Sequence, residues 1–92
     1  MTKRVYFVAH GGTVQGVGFR YFTRKRARAY GLTGWCRNTT DNKVEGEAQG
    51  EESSVEKLMK DVDEGPSGAT VVKLTQEARD AIADEAEFTV RH

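Results

Sequence analysis

A single cysteine, Cys36, in 92 residues has no partner for an intrachain disulfide. Packing alone must therefore hold the chain together, and a reducing compartment is its natural home. With one proline, Pro66, there is no proline-rich linker, and no low-complexity tract or internal repeat is present. The two histidines, His10 and His92, are too few and too scattered to suggest a metal site. No apolar run approaches the roughly 20 residues a membrane-spanning helix requires. The apolar stretch that follows Lys3 and Arg4 ends near His10, too short for the apolar core of a signal peptide followed by a small-residue cleavage site. These absences predict a cytoplasmic protein with no membrane partner.

The composition, 37% hydrophobic and 30% charged, is that of an ordinary soluble globule and gives no sign of disorder. Ninety-two residues suffice for one domain with one core, expected to span 1–92, and leave no room for a separate catalytic lobe. A net charge of zero conceals a sharp asymmetry. Residues 1–46 hold nine Lys and Arg against two acids, and residues 47–92 hold five against twelve. Such a split fits either a nucleic-acid face or an end of the fold that attracts a small anion.

Hydrophobic periodicity gives an element order. Residues 3–10 are β-branched and aromatic, with Val5, Phe7 and Ala9 on one face of a strand. A glycine-rich stretch, 11–18, follows. A helix is expected from Phe19 to Tyr30, with Phe19, Phe22, Ala27 and Tyr30 as its apolar stripe and Gly31 as its C-terminal cap. Residues 32–37 and 43–49 read as a hairpin around the polar turn 38–42. A second helix over 51–64 carries Val55, Leu58, Met59 and Val62 at i, i+3, i+4 and i+7, and Gly65-Pro66-Ser67-Gly68 ends it. Residues 69–74 and 87–91 read as the last two strands, and Trp35 as a core residue. The order β-α-β-β-α-β plus a short C-terminal strand predicts a ferredoxin-like α/β sandwich of the α+β class. Its sheet is mainly antiparallel, with two helices on one face.

The stretch from Gly11 to Gly18 is the first candidate for chemistry. Free amides at a helix start, with the positive end of the dipole behind them, form an anion site. Gly16 and Gly18 would let successive amides converge, and Arg20 adds a planar, permanent cation at the entrance. Standard phosphate motifs do not fit: Val17 stands where a P-loop requires lysine, and Tyr21 where a dinucleotide fingerprint requires glycine. On composition alone, a plain flexible crossover is the better explanation of the stretch, and Asn38 reads better as a turn former.

The string Gly12-Thr-Val-Gln-Gly-Val-Gly-Phe-Arg20 resembles the phosphate-binding signature of the acylphosphatase family. Gly34-Trp-Cys-Arg-Asn38 resembles that family's second motif, and the likeness continues through residues 41–46, Val55 and 88–91. This resemblance implies hydrolysis of acyl phosphates to a carboxylate and inorganic phosphate. By position, the amides of Gln15, Gly16, Val17, Gly18, Phe19 and Arg20, with the Arg20 guanidinium, would bind the phosphoryl group. Asn38 would orient the attacking water, with no metal, no cofactor and no covalent enzyme intermediate. The expected partners are the small-molecule acyl phosphate and its phosphate product, with no nucleic acid, and a monomer is the default. Two departures stand out. Gly11 reads as one extra residue, implying a bulge before the loop. His92 stands where an aromatic is common, near where relatives can bring a terminal carboxylate toward the arginine.

Two other readings compete. A non-catalytic anion sensor would keep the loop and Arg20 but have no use for Asn38. An RNA-binding domain of the same fold would stack bases on central-strand aromatics, yet residues 43–49 contain no aromatic and two acids. Cys36 is expected to be structural, since no neighbouring base is identifiable.

Overall fold

In the computed structural model, which describes residues 1–92, seven elements follow one another: β1 (Thr2–Thr13), α1 (Phe19–Ala29), β2 (Thr33–Asn38), β3 (Lys43–Glu51), α2 (Glu52–Glu64), β4 (Thr70–Arg79) and β5 (Phe88–Arg91). The strands form one sheet in the order β4-β1-β3-β2-β5. All neighbours are antiparallel except β2 and β5, which run parallel. This is the ferredoxin-like α+β fold, and it accounts for the alternation read along β1. Val5, Phe7 and Ala9 are buried against the helices, together with Cys36, Val44, Ala48 and Phe88 from the other strands. The second helix contributes Val55, Leu58, Met59 and Val62, the four positions the 3.6-residue period selects.

Three features depart from the sequence reading. Both strands of the β4-β1 pair are longer than expected. β1 stays paired with β4 as far as Thr13↔Thr70, and the register from Arg4↔Arg79 keeps the same offset on both sides of Gly11, which itself has no partner in the ladder. Gly11 therefore creates no bulge; it lengthens the strand. The buried stripe of α1 is Phe19, Thr23 and Ala27, whereas Phe22 and Tyr30 are only partly buried. Thr23 tolerates burial because its hydroxyl donates to the Phe19 carbonyl at 2.9 Å. Trp35 is 9% exposed yet lies outside the core cluster. It occupies the sheet face away from the helices, beneath the guanidiniums of Arg91 and Arg37 at 4.4 and 5.7 Å from its ring.

The C-terminus of α1 closes as its sequence predicts. Gly31 adopts φ 72°, its amide donates to Arg28 O, and Leu32 N donates to Ala27 O at 2.9 Å. That pair of bonds is a Schellman cap, and it fixes where β2 begins.

Candidate active site

The N-terminus of α1 is the opposite case. Its N-cap, Gly18, has φ 72°, provides no side-chain cap, and no acid sits in the first turn. Gly16 has φ 76°. A Cβ at either glycine would meet nothing within 4 Å, so the backbone conformation, not crowding, requires glycine here. The two left-handed residues on either side of Val17 turn the amides into a nest. No backbone N–H from Gln15 to Arg20 donates to any acceptor in the protein. Six consecutive donors at the positive end of a helix are thus left free.

Side chains fix this loop firmly. Val14 and Phe19 are buried at its two ends, and Val17 packs against the core between them. The Gln15 carboxamide donates to Thr39 O at 2.8 Å and Lys43 O at 3.0 Å. It thereby pins the loop to the turn that immediately follows Asn38. That turn is itself closed: Thr39 N donates to Lys43 O at 2.9 Å, and Lys43 N donates to Thr39 Oγ1 at 3.0 Å. Hydrogen bonds from Lys43 and Thr39 push the Asp41 carboxyl down to about 2.

Asn38 is the last residue of β2 and pairs with Val44, whose side chain is in the core. Directly opposed residues point to one face, so Asn38 leaves the sheet on the side that bears α1. It lines an open cleft of about 430 Å³ with Arg37, Thr39, Thr40, Glu45 and His92, and its carboxamide leaves no buried polar atom unsatisfied. Arg20 does not line that cleft directly; it meets it through His92. Arg20 Nη1 donates to the His92 Nδ1 at 3.2 Å and to Arg91 O at 3.4 Å. The free amides, Arg20 and Asn38 thus gather at one end of the sheet.

A family model described as acylphosphatase matches residues 5–90. The chain belongs to the acylphosphatase family. A curated acylphosphatase of Geobacillus thermodenitrificans (strain NG80-2) is 42% identical over 90 residues, covering 98% of this chain and 95% of the relative. Among solved structures, the acylphosphatase from Coxiella burnetii matches with a TM-score of 0.89 at 36% identity, over 98% of this chain and 93% of that one. That of Bacillus subtilis matches with a TM-score of 0.88 at 29% identity over the full length of both.

In this acylphosphatase-family enzyme the remaining nucleophile is withdrawn from chemistry. Cys36 is fully buried, its Sγ lies 3.6 Å from Arg20 O, and burial pushes its thiol up to about 12 despite the pull of Arg20 and Arg24. It is a packing group. No cluster of three or more His, Cys, Asp or Glu side chains is assembled. Two features escaped the sequence. The Gln15 side chain, as distinct from its amide, ties the loop to the β2-β3 turn, and a polar residue inside a glycine-rich loop was the only signal. The family resemblance signalled that the C-terminus approaches Arg20, but not that the His92 imidazole would make the contact.

Proposed function

We propose that this chain hydrolyses acyl phosphates to a carboxylate and inorganic phosphate, with the phosphoryl group held by the Gln15–Arg20 amides and the Arg20 guanidinium. The observation that carries this reading is the run of unpartnered amides at the uncapped start of α1. Phosphoryl transfer is mainly positioning plus neutralisation of the equatorial oxygens. Convergent amides and a planar guanidinium supply that neutralisation without moving. Asn38 orients the water, since a neutral amide offers both a donor and an acceptor. The water oxygen bonds to phosphorus as the bond from phosphorus to the acyl oxygen breaks. A carboxylate leaves with the bonding pair, and the proton lost by water passes to solvent. The conjugate acid of that leaving group has a pKa of about 4, so departure needs no general acid. Phosphate esters, which expel a far more basic alkoxide, are poor substrates under this reading.

Ultraviolet absorbance of an aromatic acyl phosphate provides the test. Arg20→Gln should lower kcat/KM by at least about a thousand-fold, and Asn38→Ala should lower kcat by about a hundred-fold. Wild-type turnover no faster than either variant would overturn the proposal.

A further inference from the structure

The two edges of the sheet differ in how much unpaired backbone they present. β5 offers four residues, whereas β4 offers ten, Thr70–Arg79, bonded only to β1. Alternate residues of such a strand turn their N–H and C=O outward, a template for one more strand. The usual ways of blunting a long edge are missing. β4 contains neither proline nor glycine, and its constant offset against β1 leaves no bulge to twist it away. None of the turn, loop or cap hydrogen bonds reaches it. The chain beyond Arg79 leaves across the sheet, where the Gln49 carboxamide of β3 holds the Ile82 backbone at 2.8 and 3.0 Å. Val72, in the first half of the strand, is 73% exposed.

The charges along β4 say what fits beside it. Outward-facing residues oppose only outward-facing residues, so two copies of β4 lying antiparallel shift in steps of two, and in each register one residue meets its own copy. Centres from Lys73 to Gln76 keep most of the strand paired. Centred on Lys73, the pairing sets that lysine against itself. Centred on Gln76, it sets Lys73 against Arg79. Centred on Leu74, it leaves Lys73 opposite Thr75 and Glu77 opposite Val71. Only the register centred on Thr75 places Lys73 of each copy opposite Glu77 of the other, with Val72 opposite Ala78. Directly opposed residues on one face attract when their charges differ and repel when they match. We propose that β4 docks antiparallel on β4 of a second copy of this chain, centred on Thr75, joining two five-stranded sheets into one. A two-fold axis then satisfies both charges twice, while the same charges disfavour the misaligned pairings. The inference is independent of the proposed reaction, since no residue of β4 lines the cleft beside Asn38.

Sedimentation equilibrium at low salt tests this, with chain concentrations reaching about 1 mM because an edge contact is small and weak. The wild-type mass should climb from 10.2 kDa toward twice that value as concentration rises. Lys73→Glu replaces both attractive pairs by repulsive ones and should raise the dimer Kd about tenfold or more. The double exchange Lys73→Glu with Glu77→Lys restores the pattern with its signs reversed, and its Kd should return to within about threefold of wild type. Both side chains are exposed, so circular dichroism should show every variant folded. Amide hydrogen exchange then locates the contact: alternate amides of Thr70–Arg79 should slow as concentration rises, and those of β5 should not. A mass of 10.2 kDa at every concentration would overturn the inference. So would tighter association of Lys73→Glu, which would mean that the lysine guards the edge against pairing. Failure of the double exchange to restore the dimer, or slowed exchange confined to another surface, would overturn it equally.

Discussion

The two ends of the sheet's charge economy are handled in opposite ways. On the face away from the helices, cations are matched. Arg4, 2% exposed, donates to Glu47 at 2.6 Å and Glu85 at 2.8 Å. Arg37 and Tyr6 share Glu45, and Arg79 pairs with Glu77 at 2.7 Å while lying over the Tyr6 ring. At the start of α1, six amides and the Arg20 charge have no acidic partner. The same chemistry, guanidinium with an oxygen acceptor, serves cohesion in one place and is withheld in the other. A folded protein gains stability by satisfying donors, so donors left free together mark where an outside anion is expected.

Breaking the matched face should cost stability and spare activity. Arg4→Met strands two carboxylates against the sheet, an expected loss of about 3 kcal/mol in urea unfolding, with kcat/KM in the folded state within about threefold of wild type. A stable variant, or one with activity lost in proportion, would erase the contrast between the two regions. Arg20→Gln is the converse change, expected to spare the melting temperature.

Gln15→Ala probes the joint between the two motifs. Without the carboxamide that spans Thr39 O and Lys43 O, the amide loop and Asn38 can drift apart, and kcat should fall by about tenfold. Unfolding free energy should drop by only about 1 kcal/mol. An unchanged kcat would mean that the loop is held by Val14, Val17 and Phe19 alone.

The smallest effect is the acid limb of stability. The Tyr6 hydrogen bond, followed by Arg37, holds the Glu45 carboxyl below its usual 4.5. Burial would raise Glu85, but hydrogen bonds from Arg4 and Thr33 with the Arg4 charge together outweigh it and bring that carboxyl down as well. Asp41 lies at about 2 against a usual 3.8. Folded values below unfolded ones mean that this stabilisation is complete above about pH 4.5 and lost as pH falls toward 2. Circular-dichroism melts between pH 6 and 2 should show a progressive fall in Tm, shallower in Arg4→Met. A flat profile would show that the matched face contributes nothing measurable.

The fold was legible wherever burial imposes a period. Val55, Leu58, Met59 and Val62 announce α2, and Val5, Phe7 and Ala9 announce β1 and its inward face. The second half of β4 was not legible, because Thr75-Gln-Glu-Ala-Arg79 has no apolar alternation and is extended only through its ladder with β1. Trp35 is buried as expected, but the sequence could not say that arginine side chains would cover it on the face away from the helices. At the candidate site, residues carried by contiguous motifs, Gln15 to Arg20 and Asn38, could be read in order. For His92 only the resemblance gave a hint, because tertiary pairing of β5 beside β2 is what brings it to Arg20.

That parallel pairing has a kinetic corollary. Of the ladders in the sheet, only β2-β3 is closed by a short turn; Arg4 must find Arg79, and Gly34 must find Phe88, across most of the chain. Closing such loops precedes any reward from the contacts they make, which puts refolding on the order of milliseconds to seconds instead of microseconds. Helical signal should return early, and the capacity to grip phosphate only once the final strand has docked.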